Sequence, residues 1–156
     1  MKILFLGDIV GNSGCEAVRK YLPKKIEEHQ IDFVIANGEN AASSGVGITE
    51  EITNSLFDHG VNVITTGNHV WDQKETYDFI SREKRLLRPL NLLDNAPGKG
   101  FEIYNSRKGF VDTDNYFKDP WNQRDINDYI RYMHMPPTMT IMHPMEANTI
   151  YDPNRN

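Results

Sequence analysis

The sequence predicts an α/β fold, a parallel β-sheet core with flanking helices, and three observations carry that prediction. Short runs rich in Ile, Val and Phe alternate with longer segments whose apolar residues recur every four positions. Glycines punctuate the junctions between them. Polar residues able to do chemistry follow each apolar run.

In order along the chain, residues 3–6 form a continuous apolar run, as a strand buried on both faces should. Val18, Leu22 and Ile26 then place one apolar stripe on a helix. Residues 31–36 give a second strand. Ile48, Ile52 and Leu56 give a second helix, with Thr49 at its N-cap, Ile52 at N3, and Gly60 placed to end it. Residues 61–65 make a third strand and residues 74–85 a third helix. This βαβαβα order implies a parallel sheet with right-handed crossovers and helices on both faces. Farther on, residues 101–104 and 109–111 suit a hairpin. Residues 122–132 carry Ile126, Tyr129 and Ile130 at helical spacing, and residues 138–142 suit a strand, with Pro136, Pro137 and Pro144 limiting anything longer.

Composition divides the chain near residue 100. Ten of the eleven glycines lie at or before Gly100, whereas five of the six methionines and nine of the sixteen aromatics lie after it. The expected organisation is a regular domain over residues 1–109 and a diverged or substituted tail over 110–156 packing on that domain. A truncation or splice would give the same composition shift. The 156 residues suffice for one domain with a real core. No apolar run approaches the roughly 18 residues of a membrane span, and the run at 3–6 is too short for a signal peptide. Cys15, the single cysteine, excludes an intrachain disulfide and a Cys-based zinc site. A net charge of −5 argues against stable nucleic-acid binding, so a cytoplasmic globular protein is expected.

In an open parallel sheet, ligands bind outside the carboxyl ends of the strands. Those ends here carry Gly7-Asp8, Asn37-Gly38-Glu39-Asn40 and Gly67-Asn68-His69. Asp8, Glu39 and Asn68 recur at intervals of 31 and 29 residues, about one βα unit each. Two carboxylates, amides and an imidazole thus converge on one edge, a donor set suited to Mn²⁺, Fe²⁺ or Zn²⁺. A bridging carboxylate could hold two such ions, able to clamp a phosphate and generate hydroxide near neutral pH. Taken singly, each residue has a plainer reading. Asp8 could cap the following helix, Asn37-Gly38 is a turn signal, and His69 could be an ordinary packed histidine. His29 and His59 sit near helix ends, where His59 suits a C-terminal dipole. Gly7, Gly11 and Gly14 loosely match a dinucleotide-binding loop, but Asp8 would repel a pyrophosphate there.

The stretches Gly7-Asp8-Ile9-Val10-Gly11, Asn37-Gly38-Glu39-Asn40-Ala41-Ala42 and Gly67-Asn68-His69-Val70-Trp71-Asp72 resemble the calcineurin-like metallophosphoesterases, in particular the bacterial branch that hydrolyses 2′,3′-cyclic nucleotides and related phosphodiesters. Leu87-Arg88-Pro89 and Pro97-Gly98-Lys99-Gly100 are similar to that branch as well. The resemblance implies a dinuclear iron or manganese site, with zinc as the alternative. By it, Asp8 binds one metal, Glu39 bridges both, Asn68 binds the second, and Asn40 is a ligand or phosphate contact. His69 is the general acid, and a hydroxide held between the metals attacks phosphorus.

The branch also carries later histidines, in a His-Ala-Glu motif and a Gly-Thr-His-x-His pair. No His-x-His occurs in this chain. His143, ahead of Glu146-Ala147, loosely resembles the first of these and is a further candidate ligand; His134 is a weaker one. The expected function is therefore metal-dependent hydrolysis of cyclic nucleotides or related phosphodiesters, completed by the tail or by a homo-oligomer partner. The alternative is a non-catalytic metal- or nucleotide-binding module that retains the fold.

Overall fold

The computed structural model describes residues 1–113 and, beyond them, the strand Met139–Met142. The elements are β1 (Ile3–Asp8), α1 (Gly11–His29), β2 (Phe33–Asn37), α2 (Glu50–Asp58), β3 (Val63–Thr65), α3 (Lys74–Phe79), β4 (Leu86–Leu87), β5 (Ile103–Ser106), β6 (Gly109–Asp112) and β7 (Met139–Met142). The main sheet runs β4-β3-β2-β1-β7, with β1 to β4 parallel and β7 antiparallel against β1. β5 and β6 form a separate hairpin that crosses residue 109.

Local chemistry accounts for the helix ends. The Thr49 hydroxyl accepts the Ile52 N–H at 3.2 Å, the cap expected for α2, and Glu50 and Glu51 occupy its first turn, where the helix dipole favours negative charge. Gly60, at φ +104°, follows the C-cap residue His59, whose Nδ1 lies 2.7 Å from the Ser55 carbonyl. Helix α1 starts from Val10 without a side-chain cap, so Asp8 does not cap it. It ends at Gln30 in the left-handed region.

Two expectations need correction. Helix α3 stops at Phe79 instead of running to residue 85, and the chain then turns into β4, a strand the sequence does not announce. Two residues are too few to show a period, and Arg88-Pro89 directly after them reads as a terminator. The three described helices also do not cover both faces. Strands β1 to β4 lie in uninterrupted order, and crossovers of one hand then put every helix on the same side. The packing agrees. Leu4, Val34, Ala36, Ile64 and Leu86 pack with Leu22 of α1, Leu56 of α2 and Phe79 of α3. The alternate residues Phe33, Ile35, Val63 and Leu87 face Val111 and Tyr104 of the hairpin.

The hairpin is tied down by three contacts. Tyr104 stacks obliquely on Phe33 at 6.0 Å, its hydroxyl donates to the Lys84 carbonyl at 2.6 Å, and Lys108 pairs with Asp32 at 3.2 Å. Burial pushes the Tyr104 phenol well above its usual pKa. On the other side of the sheet, β7 pairs Met139 with Leu6 and Met142 with Ile3, covering the edge of β1. The helix expected over 122–132 and the candidates His134 and His143 lie outside the described residues.

Candidate active site at the strand ends

Register sets the base of the site. Asp8, Asn37, Thr65 and Leu87 are successive partners across β1 to β4, one row along the carboxyl edge of the parallel strands. The β1–β2 register shifts between Leu6 and Asp8, so an irregularity at Gly7 sets the aim of the Asp8 side chain. Glu39 and Asn40 follow β2 by two and three residues, and Asn68 and His69 follow β3 by three and four.

Two contacts join these loops. Asn40 Nδ2 donates to Asp8 Oδ2 at 2.9 Å, linking the ends of β2 and β1. The His69 backbone N–H donates to Glu39 Oε1 at 3.2 Å, linking the ends of β3 and β2. The β2 loop holds its own shape, because the Glu39 N–H donates to Asn37 Oδ1 at 2.9 Å and the Gly38 N–H to the Thr65 carbonyl at 2.9 Å. Asn68 is exposed at the rim, and among the described residues no hydrogen bond joins its side chain to the other candidates. The structure thus brings Asp8, Glu39, Asn40 and His69 together, leaves Asn68 at the margin, and does not describe His143.

Glu39 is the distinctive group. It is only 5% exposed, and among the described residues no Lys, Arg or His forms an ion pair with it. A buried carboxylate without a cation is costly, so this geometry fits a bound positive charge. Gly67 makes the burial possible. A Cβ there would overlap both carboxylate oxygens and the carboxyl carbon of Glu39, although the backbone of Gly67 does not demand glycine.

The donors fit a hard divalent ion: carboxylates from Asp8 and Glu39, amides from Asn40 and Asn68. Among the described residues, no three His, Cys, Asp or Glu side chains gather into one metal cluster. Two carboxylates and two amides do not by themselves complete a two-ion site, so a full dinuclear centre requires ligands from elsewhere in the chain or from another copy.

Sequence reading assigned no role to Asp72 or Arg88. Asp72 Oδ2 lies 2.7 Å from His69 Nδ1, so the carboxylate orients the imidazole. Its signal was available, three residues after His69 in the same motif. Arg88 immediately follows the register row, with its Nη1 donating to the Pro89 carbonyl at 2.9 Å and its backbone N–H to the Lys99 carbonyl at 2.9 Å. Its Nε is buried without a hydrogen-bond partner among the described residues. The dinucleotide-loop reading loses support, since the Ile9 and Gly11 amides that would face a pyrophosphate donate to the Asn37 and Asn40 carbonyls at 3.0 and 2.8 Å.

The sequence profile described as YmdB-like protein matches residues 4–113, the segment that carries this edge. The chain belongs to the YmdB-like family. A relative from Bacillus subtilis strain 168, named 2′,3′-cyclic-nucleotide 2′-phosphodiesterase, is 49% identical over 100 residues, covering 64% of this chain and 38% of the relative. Two crystal structures share the fold. One, titled a hypothetical protein from Thermus thermophilus, superposes with a TM-score of 0.65 at 38% identity, over 72% of this chain and 43% of that one. The other, titled a novel phosphatase from Mycoplasma pneumoniae, gives a TM-score of 0.66 at 34% identity, over 72% and 41%. This YmdB-like chain thus spans well under half the length of the proteins it matches. The motifs at Asp8, Glu39 and Asn68 lie inside the matched segment, and His143 lies beyond it.

Proposed function

We propose that this YmdB-like chain carries the catalytic edge of a cytoplasmic, metal-dependent hydrolase of cyclic nucleotides or related phosphodiesters. The observation that carries the proposal is the buried Glu39 carboxylate, which forms no ion pair with Lys, Arg or His among the described residues and lies with the Asp8–Asn40 and His69–Asp72 pairs at the strand ends. The names of the relatives support the same reaction class.

Asp8, Glu39, Asn40 and Asn68 are the groups that would hold iron or manganese. Bound there, divalent ions would supply Lewis-acid stabilisation of a phosphoryl group and a more acidic water. The protein's own part is positional. The Asn40–Asp8 bond holds one carboxylate at the rim of β1, and the His69 N–H fixes the other. With Nδ1 of His69 held by Asp72, its Nε2 is the nitrogen free to give a proton to the leaving oxygen. Arg88 contributes positive charge beside the β3 end, where it would favour a phosphodiester anion. A second ion would draw on donors such as His143 or on a second copy of the chain.

The absence of a three-member His, Cys, Asp or Glu cluster among the described residues favours a second reading, a module that binds metal or nucleotide without turnover. Hydrolysis of adenosine 2′,3′-cyclic phosphate with and without added Mn²⁺ separates the two, using the wild type, Glu39→Gln and His69→Ala. The proposal expects metal-dependent turnover, reduced at least about 100-fold in both variants. Metal binding by the wild type without turnover would replace it with the second reading.

A further inference from the structure

An open cleft of about 270 Å³ is lined by Trp71, Tyr77, Leu92, Leu93, Asn95 and Pro97, and Trp71 stands two residues after His69. We propose that this cleft is the subsite for the nucleobase of the substrate, an inference that rests on the phosphodiesterase reading above. Its size lies below the roughly 300 Å³ at which pockets begin to enclose whole drug-sized ligands, so it suits one ring system.

The lining has the chemistry of a flat heteroaromatic ring. Trp71 and Tyr77 stand 5.5 Å apart at an interplanar angle of 60°, two π-faces set at an angle to each other. Trp71 and Leu92 are anchored on the core behind the cleft, whereas Tyr77 is 61% and Leu93 78% exposed. Large apolar groups this open to water on an ordered wall gain contact area from a ligand. Among the described residues no acidic or basic side chain lines the cleft, which favours a neutral ring over the phosphate. The Asn95 amide supplies one donor group and one acceptor for a base edge.

Position ties the cleft to the chemistry. Trp71 stands between the catalytic candidate His69 and its partner Asp72, in a turn closed by the Val70 N–H to the Gly67 carbonyl at 3.1 Å and the Asp72 N–H to the His69 carbonyl at 3.1 Å. The next residue, Gln73, donates from Nε2 to the Val46 carbonyl at 2.7 Å and to the Ser44 hydroxyl at 3.1 Å, pinning this turn to the loop after β2. A ring seated on Trp71 therefore has a fixed relation to His69, and little ordering remains for binding.

The test uses the full chain without metal, measuring binding of adenosine and of ribose by equilibrium dialysis. Adenosine should bind in clear preference to ribose, and Tyr77→Ala should cut that preference about tenfold, the scale of losing one stacking partner. Tyr77→Phe should restore it, and Asn95→Ala should weaken adenosine without affecting folding. Equal binding of adenosine and ribose, or a preference untouched by Tyr77→Ala, overturns the subsite. Hydrolysis of adenosine 2′,3′-cyclic phosphate is assayed in parallel with added Mn²⁺. Turnover without adenosine preference rejects the cleft and leaves the phosphodiesterase reading intact. Adenosine preference without turnover supports the cleft as a base site and rejects that reading.

Discussion

Adding a single methyl group at Gly67 tests how the proposed catalytic edge is built. The backbone of Gly67 can accept alanine, yet the new Cβ would overlap the Glu39 carboxylate. Carbon and oxygen need roughly 3.5 Å of separation, so the carboxylate must retreat by about 1 Å. That retreat breaks or bends the bond from the His69 N–H, now 3.2 Å, and forces the Glu39 side chain off its rotamer. The combined cost to stability is about 1–3 kcal/mol, because the colliding atoms are the end of a side chain and not backbone. The cost to function is larger, since a displacement of about 1 Å in a catalytic group can lower the rate about 100-fold. Gly60→Ala is the matched control. Gly60 has φ +104°, and its Cβ would meet Ile26 Cδ1 at 2.6 Å, so the fold suffers far from the catalytic edge. Thermal melts, Mn²⁺ titration by calorimetry and phosphodiester turnover on both variants complete the comparison. Gly67→Ala should lose Mn²⁺ affinity and turnover out of proportion to its melting temperature, and Gly60→Ala should lose melting temperature alone. Wild-type Mn²⁺ affinity in Gly67→Ala would refute the claim that the buried position of Glu39 matters.

Two further outcomes follow from other contacts. Asp72→Asn keeps the shape of the partner of His69 but removes its charge, so kcat should fall about 10- to 100-fold with KM little changed, and an unaltered kcat and pH profile would remove Asp72 from the mechanism. Asp32 accepts the Lys2 backbone N–H at 2.6 Å and pairs with Lys108 at 3.2 Å, and the Lys2 bond first, then Lys108, holds its pKa below the ordinary 3.8. A depressed carboxyl stabilises the fold above about pH 3.8 and loses that contribution as pH falls through its lower native value. Asp32→Asn should therefore lower stability to urea at pH 7 and cost progressively less as the pH falls below 3.8, whereas a cost independent of pH would sink the assignment.

The parallel strands and the helices between them were legible because each burial pattern was long enough to repeat. Val18, Leu22 and Ile26 mark the buried side of α1, and Thr49 announced the cap of α2. Strand β4 was not legible, because Leu86 and Leu87 gain strand character only from pairing with Ile64 and Thr65, a contact no local pattern encodes. Placing the helices on both faces failed for a related reason. Which face a helix takes depends on strand order, and that order is a tertiary fact. The edge carrying Asp8, Glu39 and Asn68 was readable from the spacing of the βα units, although Asn68 itself stands exposed at the rim. The bond from Asn40 to Asp8 and the Gly67 cradle for Glu39 were not, since both depend on how two loops approach each other.

The one-sided arrangement of the helices divides the molecule into layers of unequal cooperativity. On the helical side, residues from β1 to β4 and all three helices share one cluster, so no part of it can open without disturbing the rest. On the other side, the cover that the described residues provide is a short ribbon whose buried contribution rests chiefly on Val111 and Tyr104, while Ile103 and Phe110 are exposed. Two-stranded ribbons are marginal by themselves. The ribbon is therefore the unit that detaches first, in a sub-global opening that leaves the sheet and the catalytic edge formed. Such an opening bares Phe33, Ile35, Val63 and Leu87 as one contiguous apolar surface, making this face the point from which self-association of an otherwise folded chain would begin.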